Sequence, residues 1–312
     1  MILSTIGLVS LLVASSIGQS MAQVTGKGMK KSPKKAPTRA PTKAPTRART
    51  KAPNKVPTRA PSTRRPTPLT PEQIACNFLS LPDLADCRPN FDFDTRNTVD
   101  KTTGPKIPTE IGVLTQLTLL SFAENSMTST IPSEIGLLTQ LVSLSVAFNA
   151  LTSTIPSEIG LLTQLTRLSL AFNSLTSSIP SEIGLLSQLG SLFLSSNKLT
   201  SSIPSEMGLM SQLSILSFYS NSLTSTIPSE IGLLSKLESV HFSRNELTST
   251  IPSEIGVLTQ LAYLDCSETT LIGTIPSSLC SLPSLVPIYI DCGEITCASG
   301  CCSDFNTGVP CN

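Results

Sequence analysis

From Ile107 onward the apolar positions of the chain return every 24 residues. Ile-Pro pairs begin at Ile107, Ile131, Ile155, Ile179, Ile203, Ile227 and Ile251, and a degenerate eighth unit begins at Ile275. The unit starting at Ile131 reads IPSEIGLLTQLVSLSVAFNALTST, and its neighbours differ from it at few places. Its apolar positions are marked by Leu141, Leu144, Val146, Leu151, Ile155, Ile159 and Leu162. Around Leu144 and Val146 apolar and polar residues alternate, the period of a strand with one face buried. Asn149 breaks that alternation. Ile-Pro-Ser-Glu follows, with Pro suited to a first helical position and Glu favourable in a first turn. A short helical or 3₁₀ turn through Leu162 is therefore predicted. Each unit is one coil, too small to bury its own apolar faces. Stacked copies bury them on both sides. The two end coils then need caps.

The pattern LxxLxLxxNxL followed by LTxxIPxxIGxL resembles the plant-specific class of leucine-rich repeats, which includes polygalacturonase-inhibiting proteins and the ectodomains of receptor-like kinases. The resemblance covers about residues 107–292. The ends of the chain look more like the small secreted repeat proteins of diatom-type algae. The resemblance implies an α/β-type repeat solenoid: a right-handed arc, a parallel concave β-sheet, a 3₁₀ or short helical convex side, and disulfide-capped ends. It also implies a structural asparagine ladder at Asn125, Asn149, Asn173, Asn197, Asn221 and Asn245, which Thr269 breaks in the seventh unit. The family places Gly after the Thr of each unit. Here Ser129, Ser153, Ser177, Ser201, Ser225 and Ser249 stand there, and only Gly273 conforms. Gly tolerates φ > 0 and Ser does not readily do so, so residue and turn are at odds.

Composition adds the ends to this picture. The 312 residues are 39% hydrophobic with no Trp and three Tyr, so Leu and Ile must build the core. A net charge of +1 conceals an asymmetry: residues 23–70 hold 14 Lys or Arg and no acid, leaving 8 basic and 21 acidic residues elsewhere, a balance of −13. Five segments follow: 1–22, 23–70, 71–106, 107–274 and 275–312. Residues 1–22 read as a secretory signal, with an apolar run from Ile2 to Val13 and a small-residue site at Ser20-Met21-Ala22. That run is too short to span a bilayer. Residues 23–70, with APTR and APTK units, read as a disordered, polyproline-like basic arm. The arm suits an anionic wall polysaccharide or mineral, or equally a solvated, O-glycosylated spacer. Without interleaved aromatics it does not suit nucleic acid. Residues 71–106 form an N-terminal cap, 107–274 seven repeats, and 275–312 a degenerate repeat with a Cys-rich cap.

Nine cysteines fit an oxidising compartment. Cys76 and Cys87 precede the repeats and suit a cap bridge. Cys280, Cys292, Cys297, Cys301, Cys302 and Cys311 follow them, and their fifteen possible pairings stay open. Cys266 replaces a buried strand leucine and reads as a free core thiol. No CxxC pair has zinc-site spacing, so neither metal nor cofactor is expected. There is no N-x-Ser/Thr sequon.

The default binding surface of such a solenoid is the concave sheet. Its outward candidates are Phe148, Arg167, Phe172, Phe193, Tyr219, His241, Arg244, Tyr263, Asp265 and Glu268. Phe148 and Phe172 either stack on the surface or pack inward as a spine; Phe193 and Tyr219 are expected on the surface. Thr128, Thr152, Thr176, Thr200, Thr224 and Thr248 form a ladder that could order water, and Glu110, Glu134, Glu158, Glu182, Glu206, Glu230 and Glu254 form a carboxylate column best explained by turn electrostatics and solubility. His241, the only histidine, lies one repeat from both Ser217 and Asp265. On an open sheet that trio lacks an oxyanion hole and any exclusion of water, so no enzyme is expected. The sequence thus predicts a secreted or wall-associated, non-catalytic module that binds an extracellular protein, peptide or polysaccharide. The alternative is a structural wall or ice-interacting protein acting through its ladders.

Overall fold

The computed structural model describes residues 106–285, 288–292, 294–297 and 301–304, together with the backbone of Phe93–Asp94. All of them belong to one compact unit, Arg64–Asn312. The signal-like segment 1–22, the arm 23–70, nearly all of the cap 71–106, and Cys76, Cys87 and Cys311 lie outside the described residues.

Each 24-residue unit forms one coil. Its three-residue strand pairs in parallel with the strand of the next coil. Leu119–Ser121, Ser143–Ser145, Arg167–Ser169, Ser191–Phe193, Ile215–Ser217, Ser239–His241 and Tyr263–Asp265 run side by side in a ten-stranded sheet. Phe93–Asp94 extends it at one end, and Ile288–Ile290 and Cys302–Asp304 extend it at the other. The register is in step with the repeat: Leu144 faces Leu168, and Leu216 faces Val240. Because the side-chain period of a strand is two, the middle residue of each strand points into the core. Leu120, Leu144, Leu168, Leu192, Leu216, Val240 and Leu264 are all buried. The residue two places on is buried as well: Phe122, Val146, Leu170, Leu194, Phe218, Phe242 and Cys266. The inward phenylalanines are therefore Phe122, Phe218 and Phe242, with the last two rings 6.1 Å apart.

The opposite side of each coil is a five-residue 3₁₀ turn, as in Ser133–Leu137 and Ser157–Leu161, with Pro at its N-cap. The glycine in this turn has a packing reason. A Cβ on Gly136 would lie 2.6 Å from the backbone oxygen of Glu158 in the next coil, so only Gly lets the turns approach this closely.

A second parallel sheet, absent from the expectations above, runs along the flank through Thr128–Ser129, Ala150–Ser153, Ser174–Ser177, Lys198–Ser201 and Ser222–Leu223. Two positions per coil take φ > 0 near it. One is the residue before the ladder position: Glu124, Phe148, Phe172, Ser196, Ser220 and Arg244 before asparagines, and Glu268 before Thr269. The other is the serine that stands in glycine's place. Ser153, Ser177, Ser201, Ser225 and Ser249 have φ of 71°, 70°, 71°, 70° and 73°, beside 95° at Gly273. The turn is kept despite the residue. Strand pairing on both sides holds serine in a conformation that costs a side-chain-bearing residue about 1–2 kcal/mol.

Between these two turns sits the asparagine ladder. Asn173 donates through Nδ2 to the carbonyls of Val146, Leu170 and Ala171 at 3.0, 3.1 and 3.2 Å, and its Oδ1 accepts from the Leu151 amide at 3.0 Å. Asn149, Asn197 and Asn245 repeat the arrangement. One side chain thus satisfies backbone groups of its own coil and of the coil before it. At the broken rung the Thr269 side chain retains only a bond from Oγ1 to the Cys266 carbonyl, 2.8 Å.

At the C-terminal end a four-residue α-helix, Ser277–Cys280, replaces the 3₁₀ turn. Cys280 is bonded to Cys301 and Cys297 to Cys302, with Cα separations of 5.5 and 6.1 Å; Cys292 is also in a disulfide. These bridges tie the last coil to the terminal strand. Cys266 is free and buried, and burial pushes its thiol well above its ordinary pKa. The sulfurs of Cys280, Cys297 and Cys301 lie within 4.8 Å of one another, but all three are consumed by disulfides and none is a thiolate donor.

Candidate functional site

On the solvent face of the ten-stranded sheet, the first and third residues of each strand form two columns. The first reads Leu119, Ser143, Arg167, Ser191, Ile215, Ser239 and Tyr263; the other reads Ser121, Ser145, Ser169, Phe193, Ser217, His241, Asp265 and Tyr289. Beyond the strands follow Tyr219 and then the φ > 0 column that holds Phe148, Phe172, Arg244 and Glu268.

Three groups of side chains stand out against the serines. The Phe148 and Phe172 rings stack with centroids 4.3 Å apart and 8° between planes, each partly exposed. They sit outside the core, directly before the ladder asparagines, and this decides the surface-or-spine alternative. In the second group the Arg167 guanidinium lies 4.8 Å above the Phe193 ring. That cover leaves Phe193 only 3% exposed, so it is buried rather than displayed as the sequence suggested. Burial lowers the Arg167 pKa.

The third and largest group occupies the later repeats. His241 packs on Tyr263 at 4.6 Å, and Tyr263 on Tyr289 at 5.6 Å. Arg244 donates from Nε to Glu268 at 2.9 Å and from Nη1 to the Tyr219 hydroxyl at 2.8 Å, with its guanidinium 5.4 Å from the Tyr219 ring. Burial depresses His241 to a pKa of about 4 and raises Tyr263 and Tyr219. Tyr289 was missed in the sequence because it lies in the degenerate unit. The signal was present: it falls 24 residues after Asp265, in an Ile-Tyr-Ile alternation.

Asp265 differs from its expected place. It is 2% exposed and accepts from the Ser243 hydroxyl at 2.7 Å and the Ser267 hydroxyl at 2.6 Å. Burial raises its pKa, and those hydroxyls pull the other way. Ser217, His241 and Asp265 do share one register line. No proton relay connects them. The Ser217 hydroxyl pairs with that of Ser195 at 2.6 Å, and His241 Nε2 with that of Ser239 at 3.0 Å. A groove of about 580 Å³, lined by Ser, Pro and Glu that include Glu182 and Glu206, lies on the flank and contains none of these aromatic residues.

Residues 164–186 and 236–258 match the family model of the Leucine Rich Repeat. Two of the coils thus match the leucine-rich repeat, and the others repeat their 24-residue geometry. Solved structures of plant receptors share their fold. A plant peptide hormone receptor, RGFR1, in complex with RGF2, is 35% identical with a TM-score of 0.59, over 62% of this chain and 30% of the receptor chain. The ectodomain of the receptor kinase GASSHO1/SCHENGEN3 from Arabidopsis thaliana, in complex with CASPARIAN STRIP INTEGRITY FACTOR 2, is 36% identical with a TM-score of 0.54, over 59% and 25%. The structure titled PEPR1-AtPEP1 is 29% identical with a TM-score of 0.58, over 64% and 31%. This chain thus spans about a quarter to a third of the length of those receptor chains. No curated protein sequence matches it significantly. Among the described residues no helix is long and apolar enough to cross a membrane.

Proposed function

We propose that this protein is an extracellular, non-catalytic binding module whose concave sheet takes a peptide, a protein or a glycan. The observation that carries the reading is where the repeats differ. The 3₁₀ turn, the core positions and the ladder are nearly the same in every coil. In the described repeats, aromatic residues outside the core occur only on the strand face and just after it, at Phe148, Phe172, Phe193, Tyr219, His241, Tyr263 and Tyr289, with Arg167 and Arg244 among them. A scaffold that served only as a spacer would have no physical reason to vary there. Aromatic side chains grouped on one open face, with a few fixed polar groups, are what recognition surfaces use. Similarity to a plant peptide hormone receptor and to a receptor-kinase ectodomain, each solved in complex with a partner, supports the same reading. The basic arm, 23–70, fits a tether to an anionic wall or mineral, and residues 1–22 fit a cleaved signal.

The test is a peptide and glycan array probed with the full chain. Ligands that bind should be lost by Tyr263→Glu and Tyr289→Glu and kept by Leu161→Lys on the opposite side, where Leu161 is 52% exposed. Equal binding by all three variants would overturn the assignment of the concave face. N-terminal sequencing of the protein from culture medium tests secretion, with a start after Ala22 expected.

A second reading rests on the flank. Thr128, Thr152, Thr176, Thr200 and Thr248 are exposed on or beside its strands, and a regular hydroxyl array could order water against ice. Thermal hysteresis by the purified protein, lost on Thr176→Lys, would support it. No hysteresis at high concentration discards it.

A further inference from the structure

The two arginines of the concave face live in opposite circumstances. Arg244 is answered by Glu268 and by the Tyr219 hydroxyl. Arg167 has no acidic partner among the described residues, and its buried Nη2 has no hydrogen-bond acceptor. Its guanidinium rests on Phe193, which gives it a face contact but satisfies none of its N–H groups. The hydroxyls of Ser145 and Ser169 are also buried without a hydrogen-bond partner, and Ser169 is 0% exposed. Ser169 follows Arg167 by two residues on one strand, so both side chains belong to the same face. Ser145 is the register neighbour of Ser169 on the adjoining strand. Elsewhere on the face hydroxyls do find partners: Ser217, the repeat equivalent of Ser169, pairs with Ser195, and Ser243 and Ser267 bond Asp265. Donors without acceptors are concentrated at one corner.

We propose that Arg167, Ser145 and Ser169 form a subsite for a carboxylate carried by an acidic peptide lying on the concave sheet. The inference rests on that sheet being the binding surface. A planar guanidinium offers parallel N–H donors that match the two oxygens of a carboxylate, and each serine hydroxyl adds one donor. An arriving anion would supply the charge that Arg167 lacks, in a half-buried place where water screens it poorly. A peptide fits better than an acidic polysaccharide. The one ring at this corner, Phe193, is capped by the guanidinium and offers no platform for a sugar. Nearby, the partly exposed Phe148–Phe172 pair suits an apolar side chain of the same peptide.

The probe is fluorescein-labelled acetyl-Phe-Glu-Glu-amide, titrated by anisotropy into the full chain at ~0.15 M salt, where exposed charge attraction beyond about 8 Å is screened. The basic arm contributes equally to every variant, so differences between variants read the subsite. Arg167→Gln should weaken binding at least tenfold, Ser169→Ala several-fold, and Lys198→Gln, an exposed basic residue on the flank sheet, less than twofold. The Phe-Gln-Gln analogue should bind wild type as weakly as Phe-Glu-Glu binds Arg167→Gln. Arg167→Lys, which keeps the charge without the fork, should fall between the two, and unchanged thermal midpoints confirm that the variants are folded. Equal affinity of wild type and Arg167→Gln would overturn the subsite while leaving the array result on Tyr263 and Tyr289 standing. Tri-galacturonate binding in an Arg167-dependent way, with no such dependence for the peptide, would overturn the peptide assignment.

Discussion

Removing one rung of the asparagine ladder should cost far more than any exposed substitution. Consider Asn197→Ala. In the native chain Asn197 Nδ2 donates to Leu170 O at 3.0 Å, Leu194 O at 3.1 Å and Ser195 O at 3.3 Å, while Oδ1 accepts from the Leu175 amide at 3.0 Å. Alanine removes all four contacts and supplies none. The Leu175 amide belongs to a fully buried residue, so water cannot easily replace the lost acceptor. Leaving one buried donor unsatisfied costs about 1–3 kcal/mol, and the carbonyls, each with a second lone pair, lose about 0.5–1.5 kcal/mol apiece. The Leu170 and Leu194 carbonyls still accept from Asn173 and Asn221, so their losses lie at the low end. The total is about 2.5–5.5 kcal/mol. For a repeat body of roughly 200 residues that corresponds to a fall of about 5–22 °C in thermal midpoint. Two assays read it: chemical denaturation followed by circular dichroism, and hydrogen exchange at the Leu175 amide. Asn197→Asp should be at least as damaging at neutral pH, because a carboxylate oxygen then faces the three carbonyls. A loss below about 1 kcal/mol with Leu175 protection unchanged would refute the account of the ladder as a backbone clamp.

Three further outcomes are expected. Thr269→Asn should restore the broken rung, where the Thr269 side chain makes a single hydrogen bond, to Cys266 O, and raise stability by about 1–2 kcal/mol in the same denaturation assay. Ser201→Gly, at φ 71°, should stabilise by up to about 1 kcal/mol, since relief of left-handed strain outweighs the extra chain entropy of glycine; Ser201→Val should destabilise. His241 binds its proton with a pKa of about 4 when folded and an ordinary 6.5 when unfolded, so the unfolded chain holds more protons between those values. Stability should therefore fall as pH drops from about 6.5 toward 4, by up to about 3 kcal/mol. Asp265, raised by burial, acts with the opposite sign, so the comparison is wild type against His241→Gln, whose denaturation midpoint should lack this slope.

Much of the fold could be read from the spacing alone, and the exceptions are instructive. The 24-residue return of Ile-Pro and the Leu-x-Leu alternation identify coils, core positions and register, because both periods follow from backbone geometry. The flank sheet was not legible. Its strands carry at most one large apolar residue, such as Leu151 or Leu175, which is too little for a period to show. The persistence of φ > 0 at Ser201 and its equivalents was not legible either, because residue preference is a local property and the pairing that overrides it is not. On the concave face the sequence could place Phe193 and Asp265 at solvent-side positions. It could not show that Arg167 folds over the one or that Ser243 and Ser267 enclose the other, since both depend on rotamers of residues in different coils.

These failures share a cause that bears on how the molecule works. Positions whose environment is set by the coil itself are identical from repeat to repeat, and what happens there follows from one unit. Positions on the strand face are set by the neighbours two columns away, so their chemistry appears only when several unlike coils are stacked. Arg244 is quiet because the next coil supplies Glu268 and the previous one Tyr219. Arg167 is not, because its neighbours at the same register, Ser143 and Ser191, are uncharged. Exchanging Ser191 for Glu should therefore silence Arg167 from within the chain, without touching core, ladder or turn. Loss of the acidic-peptide response in Ser191→Glu, with stability unchanged or raised, is the outcome this logic requires. Retained binding would mean that the acidic peptide is held somewhere other than at Arg167.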